Sequence, residues 1–118
     1  MIETLSKLLA ADSNVIFGYL FGSHAAGDAA PDSDVDIALF LRDDSVDARL
    51  GLIHRLQKEL KKEIDLVVLN DIKNIYLLES ILDGGIVIKE NPLREDFELK
   101  SHLQILDFKA FRRYIDAA

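Results

Sequence analysis

The stretch Gly22–Asp36 is the sequence feature that most constrains the fold. Apolar, strand-like runs flank it, Val15–Phe21 before and Ile37–Leu41 after. Between them stand a Gly-Ser corner, a loop of small residues, and the carboxylates of Asp34 and Asp36, two positions apart. Residues two apart in a strand point to the same face of a sheet, so these carboxylates are aimed at one point. Such a pair is costly without a positive partner, and a hard divalent cation is the natural one.

Hydrophobic periodicity predicts that helices and strands alternate along the rest of the chain. Helices are expected at 2–11, 46–62, 72–82 and 92–115, and strands at 15–21, 34–41, 64–69 and 86–88. These elements predict a mixed α/β sheet of about four strands with helices on one side. The last helix would be roughly 35 Å long at ~1.5 Å per residue. Its apolar residues form more than one stripe: Leu99, Leu103 and Leu106, and Phe97, Ile105, Phe108, Phe111 and Ile115.

Composition narrows the class of protein. At 118 residues, 49% of them hydrophobic, the chain is expected to be a single domain over residues 1–118 with a real core. It has no cysteine, which excludes disulfides and thiolate metal sites. It also has no apolar run of membrane-spanning length and no signal peptide, so a cytoplasmic protein is expected. The net charge of −7 argues against a general binder of nucleic acid, because phosphate contacts need Lys and Arg.

The motif Gly22-Ser23, ten residues, then Asp34-x-Asp36 resembles the signature of the DNA polymerase β-like nucleotidyltransferase superfamily. The surrounding segments Tyr19–Ser23 and Ser33–Ile37 look like its smallest branch, the minimal nucleotidyltransferases (MNT). MNT proteins are usually encoded beside HEPN-domain partners. The resemblance extends from about Leu5 to the C-terminal helix and is most specific at 17–41 and 64–69. It implies the nucleotidyltransferase core fold with a long C-terminal helix.

The resemblance also implies a catalytic site that uses ATP and Mg²⁺, with two ions expected. Asp34 and Asp36 would be metal ligands, as their strand spacing already suggests. Asp65, on the neighbouring predicted strand, stands where the family has a third carboxylate, which would bind the catalytic metal and help to deprotonate the attacking hydroxyl. Gly22 and Ser23 would bind the triphosphate, because glycine allows close backbone approach and the Ser hydroxyl can contact phosphate. The alternative is a plain Gly-Ser turn beside a solvated acidic loop.

The loop departs from the family pattern in its charge. Many relatives carry a basic residue three positions past the Ser, and here that position is Ala26. His24 is the only candidate base nearby, and it is equally consistent with a phosphate contact or with plain solvent exposure.

Three functional hypotheses follow. The first is an antitoxin that acts as a protein adenylyltransferase, moving AMP from ATP to a tyrosine of a cognate HEPN ribonuclease toxin and so neutralising it. The second is a nucleotidyltransferase acting on a small molecule, and the third is a non-catalytic antitoxin that neutralises by binding alone. The short chain, without a substrate domain, favours a protein as acceptor. The acidic charge argues against direct contact with nucleic acid, and no membrane partner is expected.

Overall fold

Branched and aromatic residues form the strands of one sheet in the computed structural model, which describes residues 1–117 and leaves Ala118 outside the described residues. The strands are β1 (Val15–Phe21), β2 (Val35–Leu41), β3 (Ile64–Val68) and β4 (Ile86–Lys89). Their order is β3-β2-β1-β4. β1 pairs antiparallel with β2 and β4, whereas β2 and β3 run parallel. The predicted mixed sheet of four strands is confirmed.

Five helices accompany the sheet within these residues: α1 (Ile2–Ala10), α2 (Ser23–Ala26), α3 (Val46–Leu60), α4 (Ile75–Gly84) and α5 (Leu93–Ala117). The Ser45 hydroxyl caps α3 by accepting a hydrogen bond from the Ala48 N–H, 3.2 Å away. α4 begins three residues later than expected, because Leu69–Asp71 forms a 3₁₀ turn and Asn74 supplies the cap.

Helices cover both faces of the sheet. On one face Leu5 of α1 and Leu52 of α3 pack against strand residues such as Ile37. On the other, Ile81 of α4 and Phe97 of α5 pack against a set that includes Phe17. The expectation of helices on one side was therefore wrong. Both alternating sets of side chains in β1 and β2 are apolar, so both faces of these central strands need cover.

The first half of α5 is fastened to the sheet and the second half extends away from it. The Tyr19 hydroxyl donates to Glu98 Oε1 at 2.8 Å, and Arg94 donates to the same oxygen at 2.7 Å. The ring of Phe97 lies 5.4 Å from that of Phe17. The last buried residue of α5 is Ile105. Within residues 1–117, no helix combines the length and the apolar composition needed to cross a membrane.

Candidate active site

Strand register places Asp36 and Asp65 side by side. They are direct partners in the parallel pairing of β2 with β3. Paired residues of neighbouring strands point to the same face, here the face on which Ala38 is buried beneath α4 and α5. Asp34 lies one residue before β2 and is exposed, whereas Asp36 is half-buried. The three predicted carboxylates thus lie at one end of the sheet, two of them as immediate neighbours.

The electrostatics of this pair favour a cation. Partial burial, then the charge and hydrogen bonding of the Asp65 carboxyl and the charge of Asp34, raise the pKa of Asp36 above its ordinary value. The nearby His24 acts in the opposite direction. A carboxylate whose ionised form is disfavoured by neighbouring carboxylates gains most from an added positive charge.

Gly22 is required by the backbone and by Asp36 together. Its φ is +72° and its ψ −153°, a combination that side chains rarely allow. A Cβ at this position would lie 3.0 Å from Cγ of Asp36 and would collide with its Oδ2. Phe21, the preceding residue, pairs with Asp36 across β1 and β2. The glycine therefore lets the first half of the motif pack against the second, a reason that the sequence alone did not give.

Ser23 lies directly beyond this corner, as the first residue of α2. The Gly22 carbonyl accepts a hydrogen bond from the Ala26 N–H at 3.1 Å and closes the short helix. Gly27 then ends it with a left-handed φ of +81°. The predicted nucleotide-binding residues Gly22 and Ser23 thus lie beside Asp36, between the end of β1 and the loop that leads back to β2.

Two basic side chains contact the loop that carries the chain to Asp34. His24 Nε2 lies 3.1 Å from the Ser33 carbonyl oxygen, so its ring binds backbone, a role that neither sequence interpretation included. Lys62 Nζ donates to the Pro31 carbonyl oxygen at 2.6 Å. Sequence reasoning missed Lys62, because a lysine near a helix C-terminus is ordinarily explained by the helix dipole.

The fit to a metal ion rests on the Asp36 and Asp65 pair. Within residues 1–117, no three His, Cys, Asp or Glu side chains are gathered closely enough to hold a metal ion. Mg²⁺ needs only one or two carboxylates when water and substrate phosphates complete its coordination. The paired carboxylates suit that mode of binding, and the assignment of Asp34, Asp36 and Asp65 as a set of three ligands stays a prediction.

The sequence profile of the family described as "Polymerase beta, Nucleotidyltransferase" matches residues 3–94. The chain belongs to this family. No curated protein matches it significantly. The nucleotidyltransferase fold inferred from the Gly-Ser and Asp-x-Asp motif is thereby confirmed.

Solved structures with the same fold come from toxin–antitoxin complexes. A chain of a toxin–antitoxin crystal structure with AMP-PNP is 27% identical, with a TM-score of 0.81 and coverage of 98% of this chain and 95% of that one. A mutant MntA–HpeT toxin–antitoxin structure matches at 25% identity and a TM-score of 0.82, covering 99% and 96%. The fold also matches, at 22% identity and a TM-score of 0.72, covering 99% and 97%, a complex of tri-AMPylated Shewanella oneidensis HEPN toxin with MNT antitoxin.

Proposed function

We propose that this protein is an antitoxin that transfers AMP from ATP to a tyrosine of a HEPN-domain toxin. The observation that carries the proposal is the register pair of Asp36 and Asp65 beside the Gly22–Ser23 corner. The family supplies the reaction class, nucleotidyl transfer. The toxin–antitoxin complexes among the matched structures, one of them with AMP-PNP, support both the nucleotide and the kind of partner.

Each predicted site residue has a separate role in the transfer of AMP. The tyrosine oxygen attacks the α-phosphorus of ATP, and the bond from that phosphorus to the oxygen bridging to the β-phosphorus breaks. Pyrophosphate leaves with the electron pair, and Asp65 takes the hydroxyl proton. Ser23 and the free N–H groups at the start of α2 hold the triphosphate. Mg²⁺ bound by the carboxylates of Asp34, Asp36 and Asp65 would offset the charge that gathers on the phosphoryl oxygens.

The acceptor is delivered by another molecule. The chain has one small sheet, and its C-terminal helix carries exposed apolar residues that nothing in the described chain covers, among them Leu99, Leu103, Leu106 and Phe111. Exposed apolar surface of this kind is typical of an interface. AMP groups added near a ribonuclease site would repel RNA phosphates by charge and block the cleft by bulk.

Intact mass spectrometry of the toxin tests the transfer. The purified chain, ATP and Mg²⁺ are incubated with a recombinant HEPN-domain toxin, and the toxin should gain mass in whole AMP units. The double variant Asp34→Asn/Asp36→Asn should leave the toxin unmodified. Asp65→Asn should keep ATP binding while the transfer rate falls by about 10²- to 10⁴-fold, the usual loss of general-base help. Wild-type modification by the double variant would contradict the proposed site.

Neutralisation by binding alone is the second candidate, and the exposed face of α5 is the observation that favours it. Cells that express the toxin distinguish the two functions. If the Asp34→Asn/Asp36→Asn variant protects them fully while the toxin stays unmodified, binding is sufficient. If protection is lost although the complex still forms, transfer is required.

A further inference from the structure

The loop before Asp34 is built as a tight turn. The Ser33 N–H donates to the Ala30 carbonyl at 3.0 Å, and the Ala30 N–H donates to the Ser33 hydroxyl oxygen at 2.8 Å. Pro31 is the second residue of this four-residue turn, where its fixed φ is favourable. Asp34 follows Ser33 directly, so the position of the turn determines the position of Asp34, the first carboxylate of the motif.

A lysine from a different part of the chain holds this turn. The Lys62 ammonium donates to the Pro31 carbonyl at the middle of the turn. A hydrogen bond from a charged donor is stronger than one between neutral groups. No carboxylate forms an ion pair with Lys62 in the part of the chain that the structure describes. Its ammonium is thus committed to the turn.

The backbone on both sides of Lys62 is fixed, which places its side chain beside the turn. Lys61 ends α3 with a left-handed φ of +54°, without the glycine that such a position favours. Glu63 accepts a hydrogen bond from the Val35 N–H at 2.9 Å, which ties the segment to the start of β2. Lys62 lies between these two fixed points, and Asp65 follows three residues later. One short segment therefore contacts the turn before Asp34 and the start of β2, and it leads directly into the strand that carries Asp65.

We propose that Lys62 is a positioning residue for the transfer reaction: it holds the turn at Ala30–Ser33, and so places Asp34 before the nucleotide arrives. The inference rests on the proposed function, since it assumes that Asp34 serves nucleotide binding. Without the lysine the turn samples other positions, and ATP must order it on binding. The apparent affinity for ATP is then the intrinsic affinity multiplied by the fraction of molecules in which the turn is already in place. The ATP-bound state itself is little changed.

Lys62→Met tests this, because it keeps an unbranched, flexible side chain that is one atom shorter and removes the donor. Amide exchange measured by NMR should become about 2- to 10-fold faster at Ala30 and Ser33, the range expected for one lost hydrogen bond, while amides of β1 stay unchanged. The KM for ATP should rise by a similar factor with kcat within about 2-fold. Lys62→Arg keeps a charged donor and should restore both values.

Lys58→Met is the matched control, since it makes the same change on exposed α3 surface four residues earlier. Equal exchange at Ala30 and Ser33 in the two Met variants would overturn the proposal, as would a uniform rise at all amides or a loss of kcat at constant KM. If the wild-type protein transfers no AMP, the proposed function fails. The exchange comparison then still decides whether Lys62 holds the turn.

Discussion

At the scale of single residues, the site depends on a close fit between Gly22 and Asp36. Asp36 projects from β2 toward the end of β1, where a side chain at residue 22 would occupy the space of its carboxyl group. The same carboxyl is disfavoured in its ionised form by Asp65 and Asp34. Packing therefore fixes Asp36 in a place where its charge is costly, and this is typical of residues kept for function.

Gly22→Ala is expected to damage both stability and nucleotide binding. With a Cβ, the positive φ at residue 22 becomes strained, and the Cβ also displaces the Asp36 carboxyl. Together these effects should lower the free energy of unfolding by about 1–3 kcal/mol. Urea denaturation and calorimetry with Mg-ATP measure the two effects. Gly51→Ala is the control, because a Cβ there meets nothing within 4 Å in an exposed helix. It should stabilise the protein by about 0.5–1 kcal/mol. Equal stabilisation by both variants would contradict the collision at Gly22.

Asp36→Asn is expected to stabilise the metal-free protein at neutral pH. The pKa of Asp36 is raised in the folded state, so its contribution to stability is fully present below the unfolded pKa of about 3.9. That contribution is lost as the pH rises through the raised folded value. The Asn variant should thus have the same Tm as the wild type near pH 3.5 and a higher Tm above the raised folded pKa of Asp36. Thermal denaturation across pH in the presence of a chelator measures this, and a constant Tm difference would contradict it.

At the scale of elements, periodicity and turn residues predicted the strands and most helix boundaries. The spacing of Asp34 and Asp36 predicted that both lie in β2 on one face, but β2 begins at Val35, so Asp34 precedes the strand and the shared face stays a prediction. The pairing of Asp36 with Asp65 could not be predicted, because it depends on which residue of β3 lies opposite β2, and register is a tertiary property. The contact of Lys62 with Pro31 was equally inaccessible, because it joins residues 31 positions apart in sequence.

The residue that ends α3 is a position where a substitution should raise the stability of the protein. Lys61 adopts a left-handed conformation that glycine adopts without steric cost, so Lys61→Gly should stabilise the protein by about 0.5–1 kcal/mol. Lys58→Gly, inside the same helix, should destabilise by about 1 kcal/mol. Chemical denaturation of the pair gives the comparison. A loss of stability in Lys61→Gly would mean that the Lys61 side chain contributes more than its backbone costs.

At the scale of the whole molecule, α5 gives the protein an elongated shape, 51 Å in its longest dimension against 31 and 24 Å. Its first half is held by Tyr19, Glu98 and Phe97, and its second half contacts α4 through the ion pair of Lys109 with Glu79 and the rings of Phe108 and Tyr76. The opposite side of the helix is apolar and open. A fixed helix with an open apolar side is a rigid surface, well suited to bind a partner without reordering.

Leu103→Glu and Leu106→Glu should therefore weaken binding to a partner without changing the stability of the isolated chain. Both leucines are more than half exposed, so the free energy of unfolding of the isolated chain should stay within about 0.5 kcal/mol of wild type. In the proposed complex each would be buried, and losing about 1.5–3 kcal/mol of apolar burial would weaken binding of the proposed toxin partner by at least tenfold. His102→Glu, also on α5 and exposed, controls for the added charge. If the Leu variants bind the toxin as tightly as this control, the partner contacts another surface, and α5 is not the interface.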